Sequence, residues 1–244
     1  MTALRSVLFL VLLVVIVVSY GLVIVAFSRW MSRDTLLGLA RSWSLVLLRL
    51  LKLLCGLDYR LSGLEHLPNQ PCILMAKHQS AWETIALPGI LPVRQAWVLK
   101  QELMHIPVFG WALRAFHPIA IDRKAGRKAM RQLLEQGKAH LSDGDSVLVF
   151  PEGTRVAVGE HKPFTIGGAL LAEKSNAAIV PIAHNAGVYW KRRGLLKLPG
   201  CIEVVIGPTI KAEGRSAQEL NALAQNWINS CVDRLPQSPV QITR

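Results

Sequence analysis

From Ser6 to Ser28 the chain carries no charged residue, and Val7–Val18 is an unbroken apolar run. A helix over this stretch reaches about 35 Å at roughly 1.5 Å per residue, enough to match the hydrocarbon core of a bilayer. The run is too long for the apolar region of a signal peptide, and no clear small-residue cleavage site follows it. A second apolar helix is predicted from Leu36 to Leu54, with Arg29, Arg33, Arg41, Arg49 and Lys52 around it against a single Asp34. With Trp30 and Trp43, that composition suits a helix lying at a headgroup interface. Residues 1–56 therefore read as an N-terminal membrane anchor, either a transmembrane helix or a helical hairpin. The cationic excess after the first helix places the remaining chain on the cytoplasmic face, at the inner membrane in a bacterium. No second stretch stays charge-free for long enough to cross, which excludes a multi-span transporter.

The 244 residues suit one domain plus this appendage, and a hydrophobic fraction of 51% excludes intrinsic disorder. Lys and Arg (28) exceed Asp and Glu (16), giving a net charge of +12. Such a balance is compatible with a membrane-tethered protein that binds anionic lipid or nucleic acid. The charge is spread, however, and no nucleic-acid module is recognisable, so no nucleic-acid partner is expected. Cys55, Cys72, Cys201 and Cys231 are scattered without metal-ligand spacing, so no metal site is expected.

After Gly56, short apolar runs alternate with helical stretches. Strands are predicted at Asp58–Ser62, Cys72–Ala76, Ala96–Lys100, Ile119–Asp122, Val147–Phe150, Ile179–Ile182 and Ile202–Ile206. Helices are predicted at Ser80–Leu87, Gln101–Ala115, Lys124–Leu141, Ile166–Asn176 and Ala217–Arg234. The alternation predicts an α/β domain over residues 57–235, a largely parallel mixed sheet flanked by helices. The segment His184–Gly200 lacks a regular period and reads as a loop. Within it, Tyr189, Trp190, Lys191, Arg192 and Arg193 suit either an interfacial contact or a plain surface loop. Residues 236–244 read as a flexible tail.

Four strand ends carry chemistry-bearing groups, where α/β sheets collect ligands. His78 follows one strand, and Glu83 stands five positions on, early in the next helix. A carboxylate on one imidazole nitrogen fixes the tautomer and leaves the other nitrogen free as a base. Ser80 and Glu83 also have the spacing of a capping box, which would employ Glu83 structurally. Phe150-Pro151-Glu152-Gly153-Thr154-Arg155 leaves a second strand through a turn whose backbone N–H groups suit a phosphate or an oxyanion. Arg123 ends a third strand and Lys100 a fourth, both suited to holding phosphate. Beyond Arg123, Lys124, Arg127, Lys128, Arg131 and Lys138 share one helix face, which suits anionic lipid, an acidic acyl carrier or simply solvent.

Taken in order, these elements resemble the 1-acyl-sn-glycerol-3-phosphate acyltransferases of phospholipid synthesis. That family's signature is His-x4-Asp, a strand ending in Arg, Phe-Pro-Glu-Gly-Thr-Arg, and a Val-Pro-Ile strand. Here these correspond to His78 with Glu83, Ile119–Arg123, Phe150–Arg155 and Val180-Pro181-Ile182. Two positions depart from the pattern: Glu83 replaces the usual Asp, and Lys77 stands where Asn often precedes the histidine. The resemblance implies a membrane-bound enzyme that moves a fatty acyl group to the 2-hydroxyl of lysophosphatidic acid, giving phosphatidic acid. His78 would be the general base and Glu83 its orienting carboxylate. Lys100, Arg123, Glu152, Gly153, Thr154 and Arg155 would bind substrate. The donor would be acyl-CoA or acyl carrier protein, with no separate cofactor; the partners would be lysophospholipid, acyl thioester and membrane lipids. Another lysophospholipid or glycerol-3-phosphate as acceptor is the nearest alternative, and a non-enzymatic basic binding protein the next.

Overall fold

In the computed structural model, which describes residues 1–239, the apolar runs after Gly56 form a seven-stranded sheet. Its strands are β1 (Leu57–Ser62), β2 (Ile73–Ala76), β3 (Gln95–Lys100), β4 (Ile119–Ile121), β5 (Ser146–Val149), β6 (Ile179–His184) and β7 (Gly200–Ile206). They lie in the order β1-β7-β6-β2-β5-β3-β4, parallel at every step except between β6 and β7. Eight helices accompany them among the described residues: α1 (Thr2–Phe27), α2 (Arg33–Cys55), α3 (Trp82–Ile90), α4 (Phe109–Arg114), α5 (Arg127–Ser142), α6 (Gly167–Ser175), α7 (Ala186–Tyr189) and α8 (Ala217–Arg234).

The central strands are buried throughout, and apolar but for Ser146 and His184, because helices cover both faces. Side chains alternate across the sheet. Leu74, Ala76, Leu148 and Val180 share one core with Leu47 and Leu51 of α2 and Trp82 and Leu87 of α3. Ile73, Met75, Val147 and Val149 share the other with Leu133 of α5, Leu171 of α6 and Leu220 and Ile228 of α8. The adjacent parallel strands β2, β5, β3 and β4 all end at one edge. His78, the Phe150–Arg155 turn, Lys100 and Arg123 therefore emerge side by side.

The helix predicted over Gln101–Ala115 is instead two pieces. A 3-10 turn at Gln101–His105 is followed by Pro107 and by Val108 at φ 61, and only then by α4. Proline cannot continue the hydrogen-bond ladder, so the break has a local cause. Gly110 lets the two pieces close up, since a Cβ there would lie 2.5 Å from the Leu103 carbonyl oxygen and 2.6 Å from backbone atoms of Met104. Gly110→Ala is expected to cost about 1–3 kcal/mol, since backbone cannot yield as a side chain can. A thermal-melt comparison checks this, and an unchanged midpoint would contradict the packing described.

The helix predicted from Lys124 is likewise interrupted, at Gly126 (φ 49, ψ −113), so α5 starts at Arg127. The segment His184–Gly200 corrects the loop expectation. Its first half is buried, with β6 extending through His184 and α7 burying Tyr189 and Trp190 at 1% and 5% exposure. Tyr189 and Trp190 are thus core, and only Lys191–Arg193 of the expected interfacial group are exposed.

Helix α1 is fastened at both ends to the body of the protein. Near its start Ser6 Oγ accepts a hydrogen bond from the Lys197 N–H at 2.9 Å, and Phe9 meets Trp190 edge-to-face with ring centroids 5.8 Å apart. The Lys197 ammonium, itself buried, lies 4.6 Å from the Trp190 ring centroid. Near its end Gly21 lies against Val108, which a Cβ would approach to 2.7 Å, and Ile24 packs with Leu36 and Ala112. Between these points Val11, Val14, Val15 and Val18 remain exposed. The expected flexible tail begins with residues that are held: Asn185 Nδ2 donates to the Pro236 carbonyl at 3.0 Å and Gln237 Nε2 to the Val232 carbonyl at 2.6 Å. Residues 240–244 of that expected tail lie outside the described residues.

Candidate active site

His78 stands two residues beyond β2 with its side chain 15% exposed. Its ring stacks on Phe150 (centroids 4.1 Å apart, planes 19° apart), and Trp97 meets the same phenyl ring at 5.9 Å. Nδ1 lies 2.8 Å from Oε1 of the fully buried Glu83. That carboxylate oxygen also accepts the N–H groups of Gln79 and Ser80, each at 2.8 Å. Glu83 therefore does both things its spacing allows: it satisfies backbone donors at the entry to α3 and orients the imidazole. Ser80 is not the N-cap; Ala81 holds that position, and Ser80 Oγ accepts from the Trp82 N–H at 3.2 Å.

Behind the pair sits His184, fully buried. Nε2 donates to the Lys77 carbonyl at 2.8 Å and Nδ1 accepts from the Ala186 N–H at 3.2 Å, which defines a neutral tautomer. Burial lowers its pKa in the same direction. Burial on its own would raise the Glu83 carboxyl, but the hydrogen bonds from the His78 ring and the Ser80 N–H hold the group below its usual value. A carboxyl depressed on folding stabilises the protein above the ordinary Glu pKa, about 4.3, and that stability is lost as pH falls through the lower folded value. Glu83→Gln is accordingly expected to flatten the acid limb of a melting-temperature profile. An unchanged limb would show that Glu83 is not ionised in the fold.

Lys77 points inward, and its charge is met by Glu152. Both side chains are fully buried, and Nζ lies 2.5 Å from Oε1. Glu152 Oε2 accepts the His78 N–H at 2.8 Å. The Glu152 carboxyl, expected beside the substrate, therefore props up the strand end that carries the imidazole and lies behind the cavity lining. Gly153 lines the cavity as expected, with its N–H engaged by the Phe150 carbonyl at 3.0 Å. Its own carbonyl accepts from Arg123 Nη1, which ties the β4 end to the Phe150–Arg155 turn. Burial lowers the Arg123 pKa and Glu102 opposes it, but a guanidinium stays charged throughout. Arg155 Nε is buried with no protein partner among the described residues.

These groups open on one cavity of about 1000 Å³. His78, Lys100, Arg123, Thr154 and Arg155 line it, joined by Arg192 and Arg193. Leu13, Val17 and Ile24 of α1, Leu37 of α2, and Leu103, Phe109 and Phe116 form apolar wall. Of the expected site residues, Glu83 and Glu152 alone are held behind the lining. His184, Trp97 and the arginine pair escaped sequence reasoning. Extending the Val180-Pro181-Ile182 strand by two residues would have brought His184 to the same sheet edge; nothing local marks the others.

A family model described as Acyltransferase matches residues 58–185, the segment that holds His78 and Glu83. The 1-acyl-sn-glycerol-3-phosphate acyltransferase of Pseudomonas aeruginosa is 44% identical over 205 residues, covering 82% of this chain and 78% of that protein. This chain belongs to the 1-acyl-sn-glycerol-3-phosphate acyltransferase family. Family likeness extends to the Mus musculus 1-acyl-sn-glycerol-3-phosphate acyltransferase alpha, 31% identical over 72% of this chain and 62% of that protein. The crystal structure of the 1-acyl-sn-glycerophosphate acyltransferase from Thermotoga maritima shares the fold, with a TM-score of 0.80 over 95% of each chain at 23% identity. As an acyltransferase of this family, the protein keeps the ordered motifs and places the two departures, Glu83 and Lys77, within the hydrogen-bonded frame of the histidine.

Proposed function

We propose that this acyltransferase moves a fatty acyl group from acyl-CoA or acyl carrier protein to the 2-hydroxyl of lysophosphatidic acid, giving phosphatidic acid. The observation that supports this most is the His78–Glu83 pair opening on a cavity with cations around the histidine and an apolar remainder. With Nδ1–H held by Glu83, His78 Nε2 takes the hydroxyl proton. The oxygen then forms its bond to the thioester carbonyl carbon, the carbon–sulfur bond breaks, and the leaving sulfur recovers a proton from His78. Such positioned proton transfer contributes roughly 10²–10⁴-fold. No enzyme-bound acyl intermediate is needed. Arg123 and Arg155, with Lys100, hold the acceptor phosphate, and the unpartnered Arg155 Nε suits that use. The acyl chain occupies the apolar part, where each buried CH₂ contributes about 0.8 kcal/mol.

Residues 1–56 then act as membrane anchor and cavity wall together, and residues 57–235 as the acyltransferase domain. Because α1 is docked at both ends on the same body, we read it as lying within the bilayer without carrying the chain across, on the cytoplasmic face. A lysolipid can then enter sideways with its chain still in lipid. The test is thiol release from acyl-CoA with a panel of acceptors. Lysophosphatidic acid is expected to be preferred over glycerol-3-phosphate and over lysolipids without a terminal phosphate. Preference for a phosphate-free acceptor would overturn the assignment.

A further inference from the structure

Two arginines line the reaction cavity without belonging to any of the motifs that define the site. Arg192 and Arg193 lie on the loop after α7 and are exposed at the rim. Arg192 Nη1 donates to the Arg155 carbonyl at 2.7 Å, so its guanidinium reaches over the phosphate-gripping turn. Arg193 is held in the left-handed region at φ 58, a conformation a non-glycine residue keeps only where the surroundings impose it. The loop is pinned from beneath: Trp190 Nε1 donates to the Gly194 carbonyl at 3.2 Å, and the Gly194 N–H to the Lys191 carbonyl at 2.8 Å. Lys191, Leu195 and Leu196 of the same loop are exposed and stay outside the cavity lining. The fold has thus set two arginines in the cavity lining and left their neighbours outside it.

The reaction brings in two separate anions. The acceptor phosphate is fixed next to the reacting hydroxyl, and its charge of about −1.5 to −2 is met by Arg123, Arg155 and Lys100. An acyl thioester of coenzyme A or of acyl carrier protein carries a second phosphate at the far end of its pantetheine arm. That group must stay at the rim while the thioester carbon comes within about 3.5 Å of the hydroxyl. We propose that Arg192 and Arg193 grip the pantetheine phosphate of the acyl donor, a group both donor types share. This inference rests on the acyl-transfer reading above. Guanidinium suits the role through paired hydrogen bonds to phosphate oxygens.

Three donors test it on the full-length enzyme: acyl-CoA, acyl carrier protein, and the acyl thioester of N-acetylcysteamine, which ends before the phosphate. Arg192→Ala and Arg193→Gly are compared with wild type; glycine accepts the left-handed backbone, so loss in the second variant cannot be laid to misfolding. Each is expected to raise KM for both phosphate-bearing donors about tenfold, roughly the loss of one charge-assisted contact. KM for lysophosphatidic acid should stay within about twofold, and the N-acetylcysteamine thioester should show no such penalty. A loss confined to one of the two phosphate-bearing donors would overturn the proposal, since both carry the group. A rise in acceptor KM, an equal loss with the phosphate-free thioester, or no change would overturn the proposal. So would an equal loss with every donor together with weaker flotation on anionic vesicles, which would make the loop a membrane contact. If wild type releases no thiol from any donor, the acyl-transfer reading itself fails.

Discussion

His78→Ala is expected to lower lysophosphatidate-dependent thiol release by about 10²–10⁴-fold while leaving the melting temperature close to wild type. The imidazole is only partly buried, is held from one side by Glu83 and stacks on Phe150, so its removal empties the cavity floor more than it unpicks the core. The loss should fall on kcat, because the proton is moved in the transition state and not in the ground-state complex. Glu83→Gln provides a graded comparison. It keeps the volume but removes the charge that fixes the tautomer and stabilises the imidazolium, so it should be impaired without matching the alanine variant. Turnover surviving in His78→Ala would move the chemistry elsewhere in the cavity. A large loss of stability in that variant would instead assign the histidine a structural role.

Breaking the Lys77–Glu152 pair should have the largest effect on stability. Both groups are fully excluded from solvent, so Glu152→Ala strands an ammonium with no carboxylate and leaves the His78 N–H without its acceptor. Removing one member of a buried pair costs about 3–5 kcal/mol. Lys77→Met should cost less, because burial already pushes the Glu152 carboxyl upward, against the pull of Lys77, and the stranded acid can take up a proton. The double variant Lys77→Met/Glu152→Gln should recover much of the loss, since well-packed neutral groups of similar volume often serve as well as a buried ion pair. Denaturation in one detergent at matched concentration measures all three. Single variants within about 1 kcal/mol of wild type would mean the two groups are not charged in the fold.

The strands and the reactive edge could be read from sequence because both are local signals. Runs such as Cys72–Ala76 and Val147–Phe150 are apolar on every position and then stop abruptly at polar turn residues, as buried parallel strands do. What could not be read depends on register and on which face of an element is used. Lys77 and Glu152 are 75 positions apart, and only the pairing of Met75 with Val149 brings their side chains together. Glu152 reads as part of a substrate turn because it adjoins Gly153, Thr154 and Arg155, which line the cavity, while the strand register turns it inward. Helix α1 is apolar all round, so no periodicity distinguishes the face that meets α2 and α4 from the face left uncovered. The break between Gln101 and Ala115 was marked by Pro107, but the apolar spacing across it masked the signal.

The bond between Ser6 and Lys197 joins positions 191 apart, which sets an order of assembly. During synthesis the whole sheet from β1 to β6 is made between α1 and the seat that receives it, with Trp190 and Lys197. Helix α1 can pack on α2 early, but its contact with that seat forms only after β6 has been made. Removing α1 would therefore take away one side of the vessel into which His78 faces.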